Sequence, residues 1–258
     1  MNVTFIGSGN VAWHLAPALD NTDYPVREVY SRNARHAEGL VNRLYQASVR
    51  TTLDFSNSSS KIFVIAVSDD AIPEVVREIV LPDDAILVHT SGSQSLGILE
   101  DAAAWATGVF YPLQTFSKNR KLDFQEIPIF VEASDGGTEK LLTAMARAIS
   151  GSVHRATSVE RKTLHIAAVF ASNFTNHMLT LSQDVLKKNG QKFEWLKPLI
   201  AETVNKALTL GPEKSQTGPA RRGDLRILDM HMEALKGDER LAELYRVISQ
   251  HILDRYEE

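Results

Sequence analysis

The sequence predicts an α/β protein, with a doubly wound, mostly parallel sheet domain followed by an all-α domain. Three observations predict it. Over residues 1–157, short Val/Ile/Phe-rich runs alternate with amphipathic helical stretches, the pattern of parallel strands covered on both faces. The first run, Val3–Ile6, passes directly into Gly7-Ser8-Gly9-Asn10-Val11-Ala12 and a helical pattern. After about Thr157 no convincing strand remains. The domains are therefore placed at 1–157 and 158–258.

The strands expected in order are Val3–Ile6, Val26–Tyr30, 62–67, Ile86–His89, 108–111, 127–131 and 152–155. Helices are expected at 11–19, 34–45, 71–79 and 137–149 between them. The second domain reads as a long helix over 158–188 with Ser158 as a possible N-cap, stopped by Lys188-Asn189-Gly190. Helices over 193–210, 225–235 and 239–256 follow. Pro198 marks a bend or an early turn, and Asp224 and Asp238 are caps.

The glycine turn carries the first chemistry. Gly7 can take a sharp turn, Gly9 lets a pyrophosphate approach the backbone, and Ala12 lets the helix pack close to its strand. The free N–H groups and positive end of that helix then face the phosphates. This is the phosphate grip of a Rossmann-type dinucleotide site, formed by Gly7, Ser8, Gly9, Asn10 and Val11. The alternative is a tight turn with no ligand.

The end of the second strand chooses the cofactor. An acidic residue there bonds the ribose 2′-hydroxyl of NAD, whereas basic and hydroxyl groups accept the 2′-phosphate of NADP. This strand runs into Ser31-Arg32-Asn33-Ala34-Arg35-His36, without a carboxylate. Ser31, Arg32 and Arg35 favour NADP over NAD, with His36 as a helper. The plainer alternative is a polar loop with Asn33 capping a helix. Small residues at Ala66, Val67 and Ser68 let backbone approach the ribose, and Asp69 or Asp70 reads as a helix cap. His89 and Ser91 end the next strand beside the expected nicotinamide position; they either line the site or bond local backbone.

Composition narrows the function. Hydrophobic residues make up 43% and charged residues 23%, enough for ordinary globular cores. The net charge of −4 gives no reason to expect nucleic acid or anionic membrane as a partner. The chain has no cysteine, which excludes disulfides, thiolate metal sites and Cys nucleophiles; no metal site is expected. No apolar run reaches about 18 residues, so no transmembrane helix is expected. The N-terminus lacks the basic start of a signal peptide. The expectation is a soluble, cytoplasmic protein acting on a small molecule.

The long helix over 158–188 offers a polar stripe, Lys162, His165, Asn173, Asn176 and His177, among apolar residues. His165 and Asn173 are eight residues apart, two turns plus about 80°, which keeps them on one side. The stripe faces either a wet crevice or solvent. Hydride transfer to a carbonyl or imine needs a proton donor and a group that holds the reacting atom. His165 is assigned the first role and Asn173 the second, with Lys162 as reserve acid. Arg221 and Arg222, in the turn Thr217-Gly218-Pro219-Ala220-Arg221-Arg222-Gly223-Asp224, can clamp an anionic substrate or remain solvated. Gln114 and Thr115, in Tyr111-Pro112-Leu113-Gln114-Thr115-Phe116, lie beyond the expected ligand edge of the sheet.

These segments, with His89-Thr90-Ser91-Gly92-Ser93 and the stretch from His165 to Asn173, resemble the Rossmann-like NADP oxidoreductases whose helical C-terminal domain has no assigned function. More distantly the chain is similar to ketopantoate reductases, pyrroline-carboxylate reductases and 6-phosphogluconate dehydrogenases. The resemblance implies NADP, a helical domain capping the nicotinamide, and a homodimer formed through helices. Ketopantoate reductases carry a lysine and two asparagines at four-residue steps; here those positions read His165, Val169 and Asn173, which counts against ketopantoate. The expected function is hydride transfer to or from a small, possibly anionic carbonyl, hydroxyl or imine compound. The alternatives are an NADP(H) sensor without turnover and a scaffold with a vestigial site.

Overall fold

The apolar runs become the central strands of one sheet. The computed structural model describes residues 1–256. In chain order the elements begin β1 (Val3–Ile6), α1 (Asn10–Asp20), β2 (Val26–Tyr30), α2 (Ala34–Val41), β3 (Ser48–Arg50) and β4 (Ile62–Ile65). They continue through α3 (Ile72–Glu78), β5 (Ile86–His89), β6 (Ala106–Pro112), β7 (Ile129–Ala133), α4 (Gly136–Arg147), β8 (Val153–Arg155) and α5 (Ser158–Ala168). The strands lie in the order β3-β2-β1-β4-β5-β6-β7-β8. Neighbours are parallel throughout except β6 and β7, so the predicted doubly wound, mostly parallel sheet forms. From β1 the chain winds to β2 and β3 on one side and to β4 on the other. Sheets of this kind bind ligands at that switch point.

Side chains alternate between the two faces of the sheet. Val3, Phe5, Val64 and Val88 pack with Leu15 and Leu19 of α1 and Leu142 of α4. Ile6, Phe63, Ile65 and Leu87 pack with Ile72, Val75 and Val76 of α3. Each fully buried Leu or Phe contributes about 1.5–3 kcal/mol. In α1, Pro17 sits inside the helix and cannot donate to the Trp13 carbonyl four residues back. The Arg43 guanidinium donates to that carbonyl instead and stacks 4.4 Å over the Trp13 ring.

Several expectations are corrected. β3, a three-residue edge strand without an apolar run, adds to the strands expected from the sequence. β4 stops at Ile65; its last parallel partner is Ile6, beyond which β1 turns away at Gly7. β7 starts at Ile129, after Pro128, which has no N–H to give. The N-cap of α5 is Thr157, not Ser158: Thr157 and Glu160 form a reciprocal capping box, and Ser158 donates its hydroxyl to Glu132. Neither Asp69 nor Asp70 caps a helix through its side chain; Asp69 accepts a hydrogen bond from Ser93. The helix expected over 158–188 is broken by a π-helical turn, Val169–Phe174, before α6 (Thr175–Lys188).

The chain divides into two compact units, Met1–Ser172 and the residues from Asn173 onward. α5 thus groups with the sheet rather than with the later helices. The second unit holds α6, α7 (Lys197–Leu210), α8 (Pro212–Ser215), α9 (Leu225–Ala234) and α10 (Glu239–Tyr256). Pro198 lies in the first turn of α7, and the Asp224 side chain caps α9. Asp238 accepts from the Leu241 N–H at the start of α10. None of α6, α7 and α10 has a fully buried residue. Among the described residues, no helix is long and apolar enough to cross a membrane.

Candidate functional site

Backbone geometry around Gly7 decides what the switch point can hold. Gly7 has φ +111°, and a Cβ there would lie 2.3 Å from the Ala66 carbonyl oxygen. Only glycine tolerates both conditions. The Gly7 N–H donates to the Tyr30 carbonyl at 2.8 Å, and the Ala66 N–H donates to that of Ile6 at 2.7 Å. The carboxyl ends of β1, β2 and β4 are thereby tied together around the turn. Gly9 is the N-cap of α1, without a side-chain cap or an acidic residue in the first turn, so the helix presents bare N–H groups and an uncancelled positive end. A Cβ on Gly9 would meet only the Ala66 carbonyl oxygen, at 3.8 Å.

Beside this turn lies a cavity of about 410 Å³. It is lined by Gly7, Ser8, Gly9, Asn10 and Val11, by Ser31 and Arg32 after β2, and by Ala66, Val67 and Ser68 after β4. His36, Glu74, Glu78 and Lys118 are also in its wall. The open cradle at Gly9 and the bare helix end fit the phosphates of a dinucleotide. Arg35 does not line the cavity. Asn33 caps α2 by accepting from the Arg35 N–H at 3.1 Å. Lys118 escaped the sequence reading because it belongs to an irregular loop after β6, and nothing in its neighbours marks it. Its ammonium stands 4.6 Å from the Trp13 ring, which brings the loop over α1.

His89 and Ser91 do not line this cavity. His89 is fully buried. Its Nδ1 accepts from the Ser91 N–H at 3.1 Å, which leaves Nε2–H to donate to the Ser95 carbonyl at 3.3 Å. Ser91 Oγ accepts from the N–H groups of Ser93 and Gln94, each at 3.1 Å. Both residues staple the loop after β5. Burial, helped by the Arg161 charge, pushes the His89 imidazole down to about 4 from 6.5. An unfolded chain therefore takes up a proton between those values that the folded one refuses. The stability His89 contributes is complete above pH 6.5 and is lost as pH falls toward 4, by roughly 3 kcal/mol in all. Urea unfolding near pH 7 and near pH 5 is expected to show a smaller pH effect in His89→Gln than in the parent protein; equal pH effects would refute it.

The same loop rests on a buried cation. Arg161 of α5 is 0% exposed and pairs with Glu132 of β7 at 2.7 Å. Its Nη1 donates to the Gln94 carbonyl at 2.6 Å and, at 3.4 and 3.5 Å, to those of Ser91 and Gly92. One turn further along α5, His165 is half-buried, with Nδ1 3.2 Å from the Tyr111 hydroxyl of β6. Lys162 is exposed. Gln114 and Thr115 form an exposed turn in which Gln114 Oε1 accepts from the Thr115 N–H at 2.8 Å. Neither the Arg161–Glu132 pair nor the Tyr111–His165 pair was read from the sequence, since partners 29 and 54 residues apart leave no local pattern.

In the second unit Asn173 is exposed. Arg221 stacks 4.5 Å over the Tyr256 ring, and Arg222 is exposed. Among the described residues neither arginine forms an ion pair with Asp224. No group of three or more His, Asp or Glu among the described residues is placed to hold a metal ion.

Sheet order, glycine turn and cavity define a Rossmann-like nucleotide-binding domain followed by a helical region. Comparison with known proteins agrees: residues 1–111 match the Rossmann-like domain and residues 127–252 match the domain of unknown function DUF2520. The structure of a putative NADP oxidoreductase from Bacteroides fragilis is 38% identical, covers 98% of both chains and superposes with a TM-score of 0.89. The chain belongs to the same family as that protein. A Thermotoga maritima protein at 22% identity, over 98% of each chain, gives a TM-score of 0.72. A reductive aminase from Aspergillus terreus, in complex with NADPH and ethyl levulinate, gives 0.72 at 15% identity over 98% of this chain and 94% of its own. No curated protein matches the chain.

Proposed function

We propose that this protein is an NADP-dependent oxidoreductase moving hydride to or from a small carbonyl, hydroxyl or imine compound. The carrying observation is the Gly7–Gly9 cradle opening onto Ser31 and Arg32, with no carboxylate at the end of β2. The oxidoreductase class and NADP are supported by the 38%-identical putative NADP oxidoreductase from Bacteroides fragilis. When bound, the nicotinamide supplies or accepts the hydride. Gly7, Ser8, Gly9, Asn10 and Val11 hold the pyrophosphate, and Ser31, Arg32 and Lys118 receive the 2′-phosphate. His165 gives or takes the proton at the reacting oxygen or nitrogen, with Lys162 in reserve. Asn173 orients that atom, and Gln114, Thr115, Arg221 and Arg222 contact the substrate. Residues 1–157 serve as the cofactor domain and 158–258 as the substrate and dimerisation domain.

A homodimer joined through the helices belongs to the same reading. Trp195, Leu199 and Leu208 of the second unit are 65%, 62% and 81% exposed, more apolar surface than a lone helical bundle usually shows water. Light scattering at micromolar concentration should give twice the chain mass; a monomer would remove the dimer. A cytoplasmic location completes the proposal, and fractionation of cells expressing a tagged chain tests it.

Titration with NADPH and NADH tests the cofactor. NADPH is expected to bind at least about tenfold tighter, and Arg32→Ala to erase the preference, because a charge-assisted contact is worth about 1.5–3 kcal/mol. Small keto and imino acids are then screened by the absorbance of reduced cofactor. His165→Ala should keep NADPH affinity and lose turnover by about 10²–10⁴-fold. Undiminished turnover removes His165 from the chemistry. Binding without turnover on any compound identifies a sensor instead, and no binding overturns the reading.

A further inference from the structure

Three residues from separate parts of the first unit converge on one point. Tyr111, at the carboxyl end of β6, is 8% exposed. His165 meets it edge-on, ring centroids 6.2 Å apart, with Nδ1 3.2 Å from the phenolic oxygen. Gly92, in the loop after β5, lies against both. A Cβ there would fall 2.6 Å from Tyr111 Cζ and 2.7 Å from His165 Nδ1. The loop backbone therefore covers Nδ1 and closes it to any ligand. Arg161 holds that backbone from below through the carbonyls of Ser91, Gly92 and Gln94.

We propose that Tyr111 is a positioning residue that accepts a hydrogen bond from His165 Nδ1–H, so that proton exchange with substrate takes place at Nε2 alone. The inference rests on the reading of His165 as the acid/base group. An imidazolium donates from both nitrogens, while a phenol can accept as well as donate. The charged ring must therefore use Nδ1–H toward the Tyr111 oxygen. When Nε2 delivers its proton to the substrate, the neutral ring retains its hydrogen at Nδ1, and the bond to Tyr111 persists without either partner turning over. In the reverse direction Nε2 takes the proton back through the lone pair so exposed. Burial raises the Tyr111 phenol above its ordinary value, and the Arg161 charge offsets that only in part; the phenol stays neutral. The charged groups acting on Tyr111 are Arg161 of α5 and Asp69 after β4.

Nitrogen-15 NMR of the imidazole reads the proton position directly, without cofactor or substrate. In the parent protein the neutral ring is expected as the Nδ1–H tautomer, the form free histidine disfavours. In Tyr111→Phe the neutral ring should revert to Nε2–H, since Nδ1–H loses its acceptor. An Nε2–H tautomer in the parent protein overturns the proposal, and so does an unchanged tautomer in folded Tyr111→Phe. The parent measurement alone decides the matter if the variant does not fold. Because no nucleotide enters the experiment, a failure here is separate from a failure of NADPH binding or of turnover.

Discussion

Replacing Glu132 with alanine is expected to destabilise the protein by about 3–5 kcal/mol, the cost of leaving a buried charge without its partner. Arg161 is 1% exposed at its side chain and Glu132 18%, so little water is at hand to replace the carboxylate. Glu132 also accepts from the N–H and hydroxyl of Ser158, so its loss strips the first turn of α5 as well. The Ser91–Gln94 loop, anchored by the same guanidinium, should loosen along with α5. Denaturant unfolding measures the first effect and amide exchange over residues 89–95 the second. A loss under about 1 kcal/mol, typical of exposed pairs, would show that the pair is not structural. Arg161→Lys should fare nearly as badly, because one ammonium cannot reproduce a planar fork serving Glu132 and the loop carbonyls together.

The two glycines of the nucleotide turn are expected to fail in different ways. Gly7→Ala places a methyl 2.3 Å from a backbone carbonyl at a φ of +111°. The conformational strain alone costs about 1–3 kcal/mol, and the clash pushes β1 from β4. Both stability and cofactor binding should drop. Gly9→Ala meets ordinary contact distance, so its stability should stay within about 0.5 kcal/mol. Its methyl would intrude on the pyrophosphate position proposed above, and NADPH affinity should fall at least about tenfold, or 1.4 kcal/mol. Thermal unfolding and calorimetric titration of the pair separate the two roles. Equal stability losses, or an unchanged Kd in Gly9→Ala, would break the assignment.

The legible parts of this chain are those with a local physical signature. β1 and β5 carry the bounds expected from their apolar runs, because strands buried on both faces admit few polar residues; β2 also keeps its expected bounds, although Arg27 and Glu28 interrupt it and are only partly buried. The glycine turn is legible because its conformation requires glycine. β3 is not, since Ser48, Val49 and Arg50 pair along an edge where no burial is demanded. The π-helical turn is also invisible, as the residue types over Val169–Phe174 are ones that an ordinary α-helix also accepts. The burial of Arg161 leaves no mark in the sequence, because arginine ordinarily faces water; only its distant carboxylate makes burial tolerable. His89 drew attention as a histidine at a strand end, yet its surroundings hold it neutral and inward. The chemical character of a titratable residue is set by what surrounds it, and those neighbours come from across the chain.

The antiparallel step between β6 and β7 has a further consequence for α5. β7 and the parallel β8 run away from the ligand edge, so the chain must travel back before it can reach Tyr111. α5 makes that return, and its turns work as a graduated ruler: Ser158 registers against Glu132, Arg161 against the loop, and His165 against Tyr111. The spacing of three and then four residues keeps all three marks on one line of the helix. A single residue inserted between Arg161 and His165 would rotate the imidazole by about 100° and advance it about 1.5 Å. The length of this helix is thus as tightly specified as any side chain in it, and this family should tolerate substitutions in α5 far better than insertions or deletions.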